Sequence, residues 1–287
     1  MKAQETPTTG NKEERAAKPA PEKMYRTVPC MKVDGDASTK TQHEVVVEDP
    51  IAVFVNGRHA VTALMSPVDL ADFVTGYLFT EQIIKGVDEI ESIKIEKNRI
   101  SVITKNLFKV LGPKKTILSG CGGSTSYIDA AKLPKIQSTL TLSADAVRTA
   151  QRSLPDSEVH RTTGGIHMVA LLNRAGVITV AEDIGRHNAV DRVIGYGVRH
   201  HIDFSLTYVI SSGRISSEMV RKCLIANIPV VVSRSATTTL AVEIAKETGL
   251  TVIGFARGGK MNIYTHPERI VDETPVQPTT RHSSSSE

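Results

Sequence analysis

The stretch TYVISSGRISSEMVRKCLIANIPVVVS, residues 207–233, carries the pattern that decides the fold. It contains two short apolar runs, Tyr208–Ser211 and Val230–Ser233. Between these runs, apolar residues recur at helical spacing over residues 219–224. Short buried strands that are joined through a helix are typical of parallel sheets, so the stretch predicts a strand, a helix and a second strand.

The same alternation continues on both sides of this stretch. Three further apolar runs predict strands, and two further apolar stripes at helical spacing predict helices. The strands span residues 166–172, 177–181 and 252–255, and the helices span 190–198 and 240–249. We therefore predict, for residues 142–271, a layered α/β domain with helices on both faces of one sheet.

Residues 25–141 predict a smaller α+β region. Two apolar runs, 51–55 and 60–64, flank Asn56-Gly57, a dipeptide that favours the tight turn of a hairpin. Residues 93–103 predict two more short strands around a turn at 97–98.

A helix is predicted between these two strand pairs. Ser66 is suited to cap it, Pro67 to occupy its first position, and Gly86 to mark its end.

Both chain ends are predicted to be disordered. Residues 1–24 and 272–287 are polar and carry too few large apolar side chains to offset the entropy cost of ordering. The first residues have no apolar segment of a secretory signal peptide, and no apolar run reaches the roughly 20 residues of a membrane-spanning helix. We therefore expect a cytoplasmic protein that does not enter the membrane.

The overall charge is mildly basic, with 35 basic and 31 acidic residues and a net charge of +4. This balance suits an anionic ligand. Aromatic residues make up only 4% of the chain, and no run of them alternates with lysine or arginine as a single-strand nucleic-acid surface requires. We therefore do not expect a nucleic-acid partner.

Of the three cysteines, Cys121 is the candidate for chemistry. An odd number of cysteines at irregular spacing argues against a disulfide framework and against structural zinc. Cys121 lies among glycines and serines in residues 119–124, a loop that could carry a thiolate to another molecule, with Lys114 and Lys115 nearby to lower its pKa. A chance thiol in a glycine-rich turn, or a Cys-His hydrolase, remains an alternative.

The other two cysteines have simpler interpretations. Cys223 lies on the apolar stripe of its helix and is interpreted as a small buried side chain, and Cys30 is interpreted as incidental.

Three loops, each with a cation, are predicted to follow strands and to begin helices, where backbone N–H groups attract anions. They are residues 182–188, residues 211–216 and, after the last strand, Phe255-Ala256-Arg257-Gly258-Gly259-Lys260. Glycines allow a close backbone approach in the third loop, and its Arg257 and Lys260 could flank phosphates. His167, His187 and Asp191 could serve as acid-base groups or have structural roles, and the sequence leaves this open.

Several of these segments together resemble the FdhD/NarQ family over about residues 45–270. The most specific is EDIGRHNAVD, residues 182–191, and others are PIAVFVNG (50–57), TGGIH (163–167), SGR (212–214) and residues 255–264. The resemblance implies a layered α/β/α fold with a mixed sheet, similar to that of cytidine deaminases, and a homodimer. The deaminase zinc signature is missing, so we expect no zinc or other resident metal.

The resemblance also implies a function. Family members act as sulfurtransferases: they receive sulfur from a cysteine desulfurase of the IscS type and pass it to a molybdenum bis(molybdopterin guanine dinucleotide) cofactor. This transfer is required for formate dehydrogenase activity. Cys121 matches the family's persulfide cysteine, and Phe255 to Lys260 match its cofactor-binding segment.

One departure from the family pattern affects the mechanism. Many members carry Cys-x-x-Cys at this loop, whereas Ser124 occupies the second position here. A persulfide on one cysteine needs no second thiol, so the carrier chemistry is retained, but release of sulfide through a disulfide within the motif is excluded. The alternative function is a chaperone that binds the cofactor without covalent chemistry.

Overall fold

The computed structural model describes residues 24–106, 132–152 and 157–271, together with the backbone of 115–117. The strands are β1 (Tyr25–Asp34), β2 (Ala37–Val46), β3 (Asp49–Val55), β4 (Arg58–Met65), β5 (Ile90–Glu96), β6 (Arg99–Thr104), β7 (Lys115–Ile117), β8 (Leu142–Ser143), β9 (His167–Asn173), β10 (Gly176–Asp183), β11 (Tyr208–Ser211), β12 (Val230–Ser233), β13 (Thr251–Arg257), β14 (Lys260–Ile263) and β15 (Ile270–Val271). The helices are α1 (Leu70–Thr80), α2 (Ala144–Arg152), α3 (Glu158–Thr163), α4 (Arg186–Arg199), α5 (Ser217–Ala226) and α6 (Thr239–Thr248).

The first large sheet has the strand order β5-β6-β3-β4-β7 and contains both predicted hairpins. β3 and β4 pair across Asn56-Gly57, where φ is +50° and +77°, the left-handed backbone that these two residues tolerate best. β5 and β6 pair across the turn at 97–98, with Glu96 opposite Arg99. Both predictions are confirmed.

Helix α1 begins later and ends earlier than the sequence predicts. Asp69, not Ser66, occupies the N-cap position, and its carbonyl accepts a hydrogen bond from the N–H of Phe73. The backbone of Ser66 is used elsewhere, because its N–H donates to Asp183 Oδ2 at 3.1 Å and its carbonyl accepts from Arg192 Nη2 at 2.6 Å. These long-range bonds hold Ser66 outside the helix, which then ends at Thr80 and not near Gly86.

The second large sheet has the strand order β10-β9-β11-β12-β13-β14 and is mixed. β11, β12 and β13 are parallel, whereas β9 is antiparallel to both β10 and β11, and β14 is antiparallel to β13. This confirms the predicted α/β class and every strand that was predicted over residues 142–271.

Helices cover both faces of this mixed sheet, as predicted. On one face, residues of α4, α5 and α6 such as Val193, Met219 and Ile244 belong to the same buried cluster as Val209 and Val231. On the other face, side chains of α2 and β8 join Ile210 and Val232 of the sheet in a second cluster. α6 ends at Gly249 with φ +83°, which confirms its predicted role as a helix terminator.

Helices α1 and α4 cross with their backbones in direct contact. A Cβ atom added to Gly76 would lie 1.8 Å from the carbonyl oxygen of Asp191, and one added to Gly195 would lie 1.8 Å from that of Asp72. Since α1 also packs on the first sheet through Phe73 and other residues, the two sheets are joined by a close helix pair. The division of the chain near residue 142 stays a prediction.

Several elements were not predicted at all. β1 and β2 form a two-stranded ribbon with most of its residues exposed, and α2, α3 and the short strands β7, β8, β14 and β15 were also missed. Residues 1–23 and 272–287 of the predicted disordered ends lie outside the described residues. Met24, the last residue of the predicted N-terminal arm, is instead buried beside Val68 and Ile166. No helix within the described parts of the chain is long and apolar enough to cross a membrane.

Candidate functional site

The carboxyl edge of the mixed sheet is the candidate site. β10, β11, β12 and β13 all run in one direction, because β9 is antiparallel to both β10 and β11, and β12 and β13 are parallel to β11. Their carboxyl ends therefore meet at one edge, which is where ligands bind in open α/β sheets. Two of the three predicted loops join a strand to a helix here, as expected: β10 leads to α4, and β11 leads to α5.

These two loops lie in contact with each other. A Cβ atom added to Gly213 would lie 3.1 Å from Cβ and Cδ of Arg186 and 3.1 Å from Nδ1 of His167. His167, at the start of β9, is paired in register with Asp183, at the end of β10. Gly213 therefore allows the side chains of Arg186 and His167 to meet over its backbone.

The edge has an electropositive character. The pKa of His167 is lowered, first by its burial and then by the charges of Arg186, His160 and Arg214. Cations that disfavour a charged histidine favour a bound anion in the same place. This arrangement agrees with the anionic ligand that the sequence suggests.

His187 is buried where α4 and α5 begin. Its Nε2 lies 3.0 Å from Ser216 Oγ, and its Nδ1 lies 3.6 Å from Glu218 Oε2. Burial lowers the pKa of His187 to about 4, although Glu218 acts in the opposite direction, so the imidazole is neutral at pH 7. Ser216 also caps α5 by accepting from the N–H of Met219, so His187 steadies the helix start at this edge.

Asp191 has a structural environment. Lys222 Nζ lies 2.8 Å and 2.9 Å from its two carboxylate oxygens, and the hydroxyl of Thr80 donates to it at 2.8 Å. All three side chains are buried, and they come from α4, α5 and α1. Asp191 therefore ties three helices together, in agreement with the structural alternative that the sequence left open.

The third predicted loop differs from the prediction. Phe255, Ala256 and Arg257 belong to β13, and Lys260 begins β14, so Gly258-Gly259 is the turn of a hairpin and no helix begins there. β13 is also not the last strand. The strand β14, with the sequence KMNI, was missed because it is only four residues long and mostly exposed, and an alternation of that length is a weak signal. An anion here would be held by side chains and turn amides, without a helix terminus.

The geometry of this hairpin presents its cations to solvent. The register shifts between Gly254 and Arg257, and Phe255 in this bulge has φ +50° and is 39% exposed. Ala256 is buried, whereas Arg257 and Lys260 are exposed opposite each other in the ladder. The bulge thus anchors the hairpin through Ala256 and leaves both basic side chains accessible.

A chain of hydrogen bonds connects the hairpin to the other loops of the edge. The N–H of Phe255 donates to the carbonyl of Ser235 at 2.9 Å, and the N–H of Ser235 donates to Ser233 Oγ at 2.9 Å. Ser233 Oγ in turn donates to the carbonyl of Gly213 at 2.7 Å. The segments that follow β11 and β12 are therefore held in a fixed arrangement against the end of β13.

Helix α2 adds basic residues that the sequence analysis missed. Arg148, Gln151 and Arg152 line a cleft of about 370 Å³ together with Gly258 and Gly259. Their spacing places them on one face of the helix, which follows Ser143, whose hydroxyl accepts from the N–H of Ala146. This capping serine and the basic face were the available signals for the helix.

The family assignment follows from comparison with known proteins. The sequence profile of the FdhD/NarQ family matches residues 46–271. The chain belongs to this family. The matched range includes the loop of Cys121 and the β13–β14 hairpin, which confirms the resemblance deduced from residues 182–191 and the other segments.

The FdhD/NarQ relatives are similar over most of their length. "Sulfur carrier protein FdhD" of Staphylococcus aureus strain MRSA252 is 35% identical over 254 residues, which cover 85% of this chain and 96% of the relative. The protein of the same name from strain JH9 gives the same values. A crystal structure from Desulfotalea psychrophila, assigned as a formate dehydrogenase accessory protein, is 26% identical with a TM-score of 0.73 and covers 86% of this chain and 100% of its own.

Two of the three cysteines of this FdhD/NarQ chain, Cys30 and Cys223, lie within the described residues. Cys121 and Lys114 lie outside the described residues, and only the backbone of Lys115 is described. Cys223 is fully buried, which raises the pKa of its thiol to about 12 and agrees with its interpretation as a core side chain. Cys30 is exposed on β1. The described residues contain no group of three or more histidine, cysteine or acidic side chains that could hold a metal ion.

Proposed function

We propose that this chain is a sulfur carrier that takes sulfur from a cysteine desulfurase of the IscS type as a persulfide on Cys121. It then transfers the sulfur to a molybdenum bis(molybdopterin guanine dinucleotide) cofactor, which is the substrate, and thereby serves formate dehydrogenase. The observation that carries the proposal is the 35% identity to proteins named as sulfur carriers, over 96% of their length. The proposal includes a homodimer in the cytoplasm.

The first step needs a nucleophilic thiolate. The Cys121 thiolate attacks the outer sulfur of the donor persulfide, the donor S–S bond breaks, and the donor cysteine leaves as a thiolate. Cys121 then carries the transferred sulfur with its proton. Neither of the other thiols suits this role as well: Cys223 is buried with a raised pKa, and Cys30 lies on an exposed ribbon outside the residues matched by the family profile.

The substrate suits the carboxyl edge of the mixed sheet. Its dinucleotide ends carry phosphates, and the edge offers the exposed Arg257 and Lys260 on a hairpin with a Gly-Gly turn. Arginine and lysine are the usual partners of phosphate, and the charges that lower the pKa of His167 act in the same direction. These features support an anion-binding role for the edge.

A non-covalent chaperone is the second candidate. The described edge carries basic groups that suit an anionic cofactor, whereas the proposed covalent chemistry depends on Cys121 alone. A chaperone would therefore bind through the same edge, and formate dehydrogenase would be activated without Cys121.

The test is the intact mass of the protein after incubation with a cysteine desulfurase and cysteine. One transferred sulfur adds about 32 mass units, and a reductant removes it. We expect the addition on wild type and on Cys30→Ala, and none on Cys121→Ala. In a bacterium that lacks its own carrier, Cys121→Ala should also fail to restore formate dehydrogenase activity. Restored activity with Cys121→Ala would favour the chaperone.

A further inference from the structure

The cleft between α2 and the β13–β14 turn contains a buried polar group without a partner. Gln151 is 8% exposed, and its Nε2 atom has no hydrogen-bond partner among the described residues. The backbone at this position is fixed, because the carbonyl of Gln151 accepts from Arg234 Nη2 at 3.0 Å. A buried amide that lacks a partner costs stability, so its retention here points to a ligand that completes its hydrogen bonds.

The other groups that line the cleft are also donors. Arg148 and Arg152 contribute guanidinium groups, and Gly258 and Gly259 contribute the backbone of the turn. Arg148 contacts Asp145 at 3.5 Å, but both side chains are partly exposed, so this pair competes only weakly with a ligand. Guanidinium forks and the unpaired amide of Gln151 together match the oxygens of a phosphate.

The turn allows a close approach. Gly258 and Gly259 have φ of +59° and +80°, and no atom lies within 4 Å of a Cβ atom added to either of them. A ligand could therefore contact the turn backbone from the side that faces α2. Arg257 and Lys260 flank the same turn, so the cleft continues the basic surface of the hairpin.

We propose that Arg148, Gln151 and Arg152 form a subsite with the Gly258-Gly259 turn that binds the diphosphate of the dinucleotide substrate. The inference rests on the proposed function and extends its binding surface from the hairpin to helix α2. Gln151 donates its amide to a phosphate oxygen, and the two arginines neutralise the charge.

Titration calorimetry of the full chain with guanosine diphosphate, and separately with pyrophosphate, tests the proposal. Arg152→Gln should weaken guanosine diphosphate binding by a factor of about ten, since a charge-assisted contact is lost. The matched control is Arg58→Gln, an exposed arginine of the first sheet, which should bind like wild type.

Gln151→Leu separates a ligand-binding role from a structural one. It removes an unpartnered buried amide, so the free protein should unfold at the wild-type temperature or above it, while affinity for guanosine diphosphate falls severalfold. A structural glutamine would show the opposite, with a lower unfolding temperature and unchanged affinity. That result, or wild-type affinity in both α2 variants, would overturn the subsite.

Arg257→Gln distinguishes failure of the subsite from failure of the proposed function. If Arg257→Gln weakens binding and the α2 variants do not, the subsite is wrong and the hairpin remains the binding surface. If wild type binds neither guanosine diphosphate nor pyrophosphate, the proposed cofactor surface and the subsite are both wrong, whereas persulfide formation on Cys121 stays testable by mass.

Discussion

Replacement of Lys222 by methionine should destabilise the fold strongly, because it leaves the Asp191 carboxylate buried without a counter-ion. Lys222 Nζ contacts both carboxylate oxygens of Asp191 at 2.8 Å and 2.9 Å and Thr80 Oγ1 at 3.2 Å. The side chains of Lys222 and Asp191 are 1% and 3% exposed, so water cannot replace the lost amine. Removal of one partner of a buried pair costs about 3–5 kcal/mol.

Urea unfolding, monitored by circular dichroism, measures this loss of unfolding free energy. In a thermal melt, the midpoint of unfolding should fall by roughly 6–20 °C. In the double variant Lys222→Met, Asp191→Asn, no buried charge remains, and much of the stability should return. Lys94→Met is the matched control, because Lys94 pairs with Glu96 on the protein surface and its replacement should leave stability near that of wild type.

The loss in Lys222→Met should also depend on pH. Burial already raises the pKa of Asp191, and removal of the Lys222 cation raises it further. The folded variant then binds a proton more readily than the unfolded chain does, so the loss is largest above the raised pKa and shrinks as the pH falls below it. A loss below about 1 kcal/mol, or a double variant no more stable than the single one, would refute the reasoning.

Two other predictions concern the start of α5 and the crossing of α1 with α4. His187 has a pKa of about 4 when folded, below its ordinary value of 6.5, so wild type should lose stability as the pH falls from 6.5 to 4, by about 3 kcal/mol. His187→Gln should flatten this dependence in urea titrations at several pH values, and an unchanged slope would contradict the assignment. Gly195→Ala should lower stability by roughly 3 kcal/mol or more, because its methyl group would lie 1.8 Å from a backbone oxygen of α1. The control is Gly86→Ala, whose added Cβ meets only the side chain of Asp88, and equal thermal midpoints of the two variants would contradict the close crossing.

The sequence predicted those elements whose pattern reflects burial. β11 and β12 are short, fully buried apolar runs, and α5 between them has an apolar stripe, so local information was sufficient. The ribbon of β1 and β2 was missed because nearly all of its residues are exposed, and no apolar alternation marks a strand that has no buried face. The start of α1 was predicted wrongly because distant residues, Asp183 and Arg192, bind the backbone of Ser66.

The candidate site was predicted in part for the same physical reasons. Arg257 and Lys260 stand out through their glycine neighbours, and the two strand-to-helix loops through the alternation around them. The contribution of α2 depends on its position beside the β13–β14 turn, which is set by tertiary packing. The pairing of Asp191 with Lys222 joins residues on two different helices, and local periodicity contains no information on such a pair.

The buried ion pairs and the carboxyl edge have related roles. Asp183 with Arg192 and Asp191 with Lys222 are costly to desolvate, so they add less stability than apolar side chains of the same size would. They instead fix the positions of helices. The first pair bonds to Ser66, just before α1, and the second contacts Thr80, the last residue of α1. Both pairs therefore fix α4 against α1, and the first turn of α4 places Arg186 and His187 at the edge. For the proposed anionic substrate, such rigidity would lower the ordering cost of binding, because the backbone that carries the cations is already in place.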